Sequence, residues 1–89
     1  MSERRGNGLV PPRGRVLGWR EGRDAAAGLR RLRAESGLTW PELAGLLGRE
    51  PEWVLCRQRG QVRMTRREAE VVAAVLGTDF AGLLEAGAQ

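Results

Sequence analysis

The chain has 89 residues, enough for one small domain, with 15 arginines, no lysine, 11 acidic residues and a net charge of +4. It contains no histidine and a single cysteine. This composition excludes a histidine-based catalytic triad, a histidine-ligated metal site and a disulfide framework within one chain. We therefore predict a protein that is not an enzyme and that uses neither a metal nor a cofactor.

Hydropathy along the chain argues against membrane insertion and secretion. No run of 18 apolar residues is present, so no transmembrane helix is predicted. No apolar segment follows the basic start, so no secretory signal is predicted either. A cytoplasmic location without a membrane partner is the expectation.

The positive charge is concentrated in the first part of the chain. Residues 1–33 carry nine arginines and three acidic residues, for a net charge of +6, whereas residues 34–89 carry six arginines and eight acidic residues, for −2. Concentrated basicity suits a polyanionic partner such as double-stranded DNA. The alternative, that the arginine-only usage reflects merely the composition of the gene, stays open at this point.

Residues 1–23 combine five glycines, the pair Pro11-Pro12 and six arginines, without a helical or alternating apolar period. A segment of this kind buries too little apolar area to offset its ordering entropy. We predict a flexible, disordered basic arm over 1–23, followed by a helical domain over 24–89. Val16, Leu17 and Trp19 form a small apolar group that could dock on the folded part or on a partner, but the composition favours an untethered arm.

From Asp24 onwards the pattern becomes helical. Asp24 is a suitable N-cap for a first helix that ends at Ser36, before Gly37. Thr39 and Glu42 then form a capping box that opens a second helix, which ends at Gly48. The inward-facing positions of the first helix are Ala25, Leu29 and Leu32.

Three further helices follow in the same manner. Pro51 lies in the first turn of a third helix, which ends at Gly60. A second capping box, Thr65 with Glu68, opens a fourth helix, and either Thr78 or Asp79 caps a short fifth one. The predicted inward-facing residues are Ala69, Val72, Ala73 and Leu76 in the fourth helix and Phe80, Leu83 and Leu84 in the fifth. Because no segment alternates like a strand, the fold class is all-α, a compact bundle of four to five helices.

The connection between the second and third helices predicts a helix-turn-helix. A short, glycine-containing link between two short helices makes them cross steeply, which is the geometry of this motif. The stretch Leu43-Ala44-Gly45-Leu46-Leu47-Gly48 with its leading helix resembles the phage-repressor type of helix-turn-helix domain. That resemblance covers residues 25 to about 86.

A narrower resemblance is to the N-terminal helical domain of cyanase (cyanate lyase). It is carried by Gly37-Leu38-Thr39-Trp40, Glu52-Trp53-Val54, Gly60-Gln61 and Glu68-Ala69-Glu70-Val71-Val72. In that family catalysis belongs to a C-terminal domain, and the N-terminal domain serves assembly. The resemblance therefore implies no catalytic residue in this chain and a role in self-association.

Arginines around the end of the third helix and the start of the fourth are the candidate DNA-binding residues. Arginine side chains there could hold phosphates, and further arginines of the arm could reach the minor groove or the backbone. The alternative is a solvated face balanced by Glu68 and Glu70. The candidate contacts are Arg49, Arg57, Arg59, Arg63, Arg66 and Arg67, with Arg13, Arg15, Arg20 and Arg23 in the arm.

The outward face of the third helix is a poor base reader. Glu50 and Glu52 in its first turn suit the helix dipole but repel phosphate. We expect Arg57 to reach solvent past Trp53 or to meet an acidic residue such as Glu50, with a cation–π contact to Trp53 permitted by the spacing. The outward residues are Glu52, Leu55, Cys56 and Arg59, and an exposed apolar patch for self-association is predicted at Trp53, Leu55 and Cys56.

Taken together, the sequence predicts a small, non-enzymatic helix-turn-helix protein that binds double-stranded DNA and regulates transcription as a dimer. The expected assembly is a homodimer or a higher homo-oligomer. Two alternatives stay open. One is a cyanase-like self-association or adaptor module that does not bind DNA. The other is a remnant of a cyanase that lacks its catalytic domain.

Overall fold

Five helices build the molecule, in a computed structural model that describes residues 15–89. They are α1 (Trp19–Ser36), α2 (Trp40–Leu47), α3 (Pro51–Gln58), α4 (Arg66–Val75) and α5 (Phe80–Ala88). Over residues 15–89 there is no strand, and a single isolated bridge joins Val16 with Thr65. The predicted all-α class is confirmed. The predicted contact Arg13 and most of the predicted arm lie outside the described residues.

Side-chain caps define where the short helices begin. In front of α2, Thr39 Oγ1 accepts a hydrogen bond from the Glu42 amide at 3.1 Å, and Glu42 Oε1 accepts one from the Thr39 amide at 2.8 Å. The Thr39 amide and hydroxyl hold the pKa of Glu42 below its ordinary value, because both favour the carboxylate. Thr65 and Glu68 form the same box before α4, and Asp79 caps α5. Both predicted capping boxes are confirmed.

The turn between α2 and α3 depends on Gly48. This residue has φ of +68°, in the left-handed region that glycine enters without steric cost. Its amide bonds the Gly45 carbonyl at 3.1 Å, and the Arg49 amide bonds the Ala44 carbonyl at 2.9 Å. Helix α3 then begins at Pro51, so the two helices are joined by residues 48–50 alone.

All five helices contribute to one core. Each supplies at least one side chain that is 0% exposed, and Ala44 on α2 is 1% exposed. These contributions confirm the predicted inward faces of the first, fourth and fifth helices. The fully buried apolar residues are Ala25 and Leu29 from α1, Leu43 from α2, Val54 from α3, Ala69, Val72 and Ala73 from α4, and Leu83 from α5.

Helices α1 and α5 pack against each other more extensively than any other pair among the described residues. Glycines let their backbones meet. A Cβ atom on Gly28 of α1 would overlap the Leu83 carbonyl, and one on Gly87 of α5 would overlap the Asp24 carbonyl. The chain reaches this position because α5 turns away from α4 by 87°.

The predicted start of the first helix after Asp24 is wrong, since α1 begins at Trp19. The residues just before it pair with the chain ahead of α4. The Leu17 amide donates to the Met64 carbonyl at 2.9 Å, and the Arg66 amide donates to the Arg15 carbonyl at 3.1 Å. Leu17 is 5% exposed and joins the core. These long-range contacts hold residues 15–23 on the helical domain although their sequence lacks an apolar period.

Two further properties concern the described part of the chain. No single helix within residues 15–89 has the length and apolar character needed to cross a membrane; α4 and α5 meet that requirement only together, across the bend between them. The same residues contain no cluster of three or more acidic or cysteine side chains that could hold a metal ion.

Candidate nucleic-acid interface

An arginine-lined cleft lies between the first half of α1 and the segment that connects α3 to α4. Its volume is about 320 Å³. Arg23 and Arg30 of α1 face Arg59 and Arg63 of the connecting segment across it, and Trp19 forms part of its wall. Within residues 15–89 no acidic side chain lines the cleft. The combination concentrates four positive charges around one concave surface.

The backbone holds two of these arginines in place. Arg63 Nη1 donates to the Leu17 carbonyl at 3.2 Å, and Arg30 Nη1 donates to the Gln58 carbonyl. Gly22 makes room for Arg63, because a Cβ atom there would lie 2.7 Å from Arg63 Cγ. A glycine inside a helix costs about 1 kcal/mol relative to alanine. Because Gly22 has no side chain, Arg63 can lie across α1 at this position.

The other two arginines of the cleft meet partners that leave most of their donors accessible. The Arg23 guanidinium lies over the Trp19 ring, 5.1 Å from its centroid. Arg59 Nη1 lies 3.8 Å from Glu52 Oε2 in a pair whose side chains are 48% and 73% exposed, and such exposed pairs contribute little. A guanidinium has five N–H donors, so the contacts found here leave donors for an anion on each side chain.

Arg57 lies elsewhere, at the side of α3 that faces α4. Its Nε is 3.3 Å from Glu68 Oε1, and the two side chains are only 14% and 18% exposed. The guanidinium also lies over the Trp53 ring, 4.1 Å from the centroid. The permitted cation–π contact is therefore present, and the acidic partner of Arg57 is Glu68, where the sequence had suggested Glu50 as an example. The Arg57–Glu68 pair thus links α3 to the first turn of α4.

The remaining predicted DNA contacts are dispersed. Arg66 pairs with Glu70 at 3.0 Å and lies over the Phe80 ring, 3.9 Å from its centroid. Arg49 lies over Trp53 at 4.9 Å and lines, together with Arg67, a second recess of about 190 Å³. The arginines predicted as one cluster thus divide between the cleft, the Trp53 region and the start of α4.

The described arginines of the predicted arm also separate. Arg23 lies in the cleft. Arg20 is exposed on the first turn of α1, and Arg15 is exposed while its carbonyl accepts the Arg66 amide. Only Arg23 among them joins Arg59 and Arg63.

The outward face of α3 differs from its prediction. Glu50 and Glu52 are exposed, as expected, but Leu55 and Cys56 are half-buried. Leu55 and Cys56 are therefore less exposed than predicted, and self-association through these residues and the half-buried Trp53 stays a prediction. After α3 the chain turns back, and the Gln61 and Val62 amides both donate to the Cys56 carbonyl, at 3.0 and 3.3 Å.

Sequence reasoning considered Trp19 only within an apolar group that could dock on a partner, and it did not select Arg30, although both residues line the cleft. The signal was present in their spacing. Trp19, Arg23, Ala26 and Arg30 follow one another at four, three and four residues, which places them on one helical face. It was missed because the helix was predicted to begin after Asp24.

Comparisons with known proteins agree with this architecture. No protein-family profile matches the chain, and no curated protein matches it. Among solved structures, the crystal structure of the clp gene regulator ClgR from Corynebacterium glutamicum is similar, with a TM-score of 0.69 and 28% identity over 83% of this chain and 77% of that one. Together with the short α2–α3 connection, this likeness shows a helix-turn-helix-type fold. The narrower resemblance to cyanase stays a prediction.

Proposed function

We propose that this chain is a non-enzymatic DNA-binding regulator of transcription whose arginine-lined cleft holds the phosphate backbone. The cleft carries the proposal, because it presents four arginines and, within residues 15–89, no acidic side chain. Arginine forks pair with phosphate oxygens in two parallel hydrogen bonds. The similarity to a gene regulator supports the same class of function.

The position of the cleft suits a helix-turn-helix protein. Arg59 directly follows α3 as its C-cap, so a backbone held there runs beside the helix that this fold offers to a groove. Backbone contacts of this kind position a protein on DNA without reading sequence. The exposed Glu50 precedes α3 at its opposite end and repels phosphate there. The Glu52 carboxylate reaches Arg59 Nη1 at 3.8 Å, and a phosphate bound at Arg59 would replace this weak, exposed pair. The proposed binding thus derives mainly from the cleft.

The test is a titration of the full chain into fluorescently labelled duplex DNA, followed by anisotropy over a series of salt concentrations. We expect affinity to fall steeply with salt, because bound arginines release counterions. Arg59→Ala and Arg63→Ala should each weaken binding to every sequence and reduce the salt slope by about one unit. If the chain is a homodimer, as the sequence predicts, two chains should bind each duplex at saturation.

Arg31→Ala is the matched control. Arg31 lies on the same helix as Arg30 but pairs with Glu35 on the exposed surface, outside the cleft. The Arg31→Ala substitution removes the same charge without altering the proposed site. The salt slope of DNA binding by this variant should therefore equal that of the parent chain. Absence of binding at low salt, or equal losses in Arg31→Ala and Arg63→Ala, would contradict the proposal and favour the self-association module that the cyanase resemblance implies.

A further inference from the structure

Trp19 is the feature of the cleft that phosphate binding does not use. Its side chain is 66% exposed, the highest exposure among the large apolar residues in the described part of the chain. One side of its ring carries the Arg23 guanidinium. Duplex DNA stacks its bases on one another and turns its phosphates outward, so a backbone lying in the cleft offers no ring to an indole. An exposed ring beside four arginines suits a ligand that carries both a ring and a phosphate.

We propose that the cleft is a binding site for a free nucleotide. The base stacks on Trp19, and the phosphate is held by Arg59 and Arg63 from the segment after α3. Stacking on an aromatic side chain tolerates any base, since every base has a π-face. The arginines supply the charge-assisted hydrogen bonds that a phosphate accepts.

The size of the cleft fits a ligand of this class. Its volume of about 320 Å³ lies at the lower end of the range for small-molecule sites. Contact with a convex DNA backbone requires only surface donors, whereas a concave recess of this volume also has room for a small molecule. Trp19 lies on α1, and Arg59 and Arg63, which hold the phosphate, lie on the opposite side of the recess in the α3–α4 segment.

The phosphate end of the site is preorganised. The Leu17 carbonyl fixes Arg63, and Gly22 leaves the space that the aliphatic part of Arg63 occupies. On the α1 side of the cleft, the Gln58 carbonyl holds Arg30. Donors held in this way lose less conformational entropy when a ligand binds, which favours affinity.

One consequence rests on the proposed function. Arg59 and Arg63 would serve the nucleotide and the DNA backbone alike, so the two ligands exclude each other. A nucleotide that fills the cleft would then release DNA by mass action. The cleft would act as the point where a small molecule controls DNA binding.

The test is isothermal titration calorimetry of the full chain at low salt with three probes. Adenosine 5′-monophosphate carries both ring and phosphate, ribose 5-phosphate lacks the ring, and adenosine lacks the phosphate. We expect the nucleotide to bind about tenfold more tightly than ribose 5-phosphate, because base stacking on an aromatic side chain contributes on that order. Equal affinity for the nucleotide and ribose 5-phosphate would overturn the proposal.

Single substitutions separate the two halves of the site. Trp19→Ala should reduce nucleotide affinity to that of ribose 5-phosphate and leave ribose 5-phosphate binding unchanged. Arg59→Ala should weaken both phosphorylated probes, and Arg31→Ala should alter neither. Trp19 and Arg59 are both exposed, so these variants retain the core, which circular dichroism verifies. A Trp19→Ala variant with parental nucleotide affinity would refute the assignment of the ring.

A single-stranded oligothymidylate distinguishes a free nucleotide from one within a strand. If the oligonucleotide binds through Trp19 and adenosine 5′-monophosphate does not, the free-nucleotide proposal is overturned in favour of a single strand. If duplex DNA binds and the mononucleotide does not, this inference fails while the proposed function stands. If the mononucleotide binds through Trp19 and duplex DNA does not bind, the proposed function fails while the site stands.

Discussion

Arg57 and Arg63 belong to the same short stretch of sequence but have different surroundings. Arg57 lies between Trp53 and Glu68, with 14% of its side chain exposed, whereas Arg63 lies across α1 at the edge of the cleft. A charge count treats both as possible phosphate contacts. Only the arginine whose donors remain accessible to a ligand can serve that purpose, so Arg57 has a structural role and Arg63 a candidate binding role.

Arg57→Ala should lower the free energy of unfolding by about 2 kcal/mol, between the losses for exposed and fully buried ion pairs. The substitution removes the stacking on Trp53 and leaves Glu68, which also caps α4, without its partner at low exposure. Urea denaturation followed by circular dichroism measures the change.

The exposed pair Arg31–Glu35 supplies the comparison, because its side chains are 46% and 58% exposed. Arg31→Ala should change the free energy of unfolding by no more than about 0.5 kcal/mol. An equal, small effect of both substitutions would show that Arg57 does not stabilise the α3–α4 packing. An Arg57→Ala chain that unfolds like the parent but loses DNA affinity would instead return Arg57 to the candidate interface.

Local sequence signals account for where α2 and α4 begin, but they do not account for residues at which two helices are in contact. Thr39 with Glu42 and Thr65 with Glu68 act over three residues, and the sequence alone located both helix starts. Helix propensity alone predicts that Gly28 destabilises α1. In the structure, however, its lack of a side chain leaves the space in which the Leu83 carbonyl of α5 packs. Its role therefore belongs to the pair of helices.

Gly28→Ala should destabilise the protein by roughly 1–3 kcal/mol, although alanine is the better helix former. The new methyl group would overlap the Leu83 backbone, so α1 and α5 must move apart. Gly45→Ala in α2 is the matched control, because a Cβ atom there meets nothing within 4 Å. That variant should be stabilised by up to about 1 kcal/mol. Thermal unfolding of both variants decides whether space or propensity governs Gly28, since stabilisation of both would refute the close contact.

At the scale of the whole molecule, the segment before α1 closes the fold. Arg15 and Leu17 exchange backbone hydrogen bonds with Arg66 and Met64, which lie about fifty residues later. Leu17 enters the core, while its neighbour Val16 stays 52% exposed. The same pairing positions the start of α1 against the α3–α4 segment and so forms the cleft.

Leu17→Ala should therefore lower the free energy of unfolding by about 2–4 kcal/mol, as expected for a buried leucine. Val16→Ala, one residue away and exposed, should change it by less than about 0.5 kcal/mol. Chemical denaturation of both variants provides the measurement. If Leu17→Ala were as stable as Val16→Ala, residues 15–17 would not contribute to the fold in solution.

Signals that act within about one helical turn allowed the sequence alone to determine the all-α class, the starts of α2 and α4, and the inward faces of α1, α4 and α5. Such local signals could not predict where α1 begins, because its start is stabilised by the Leu17–Met64 hydrogen bond and by the burial of Leu17. The candidate site required tertiary structure for the same reason. Side-chain type indicated that arginines could hold phosphate, but only packing could place Arg57 against Glu68 and bring Arg23 and Arg30 to Arg59 and Arg63.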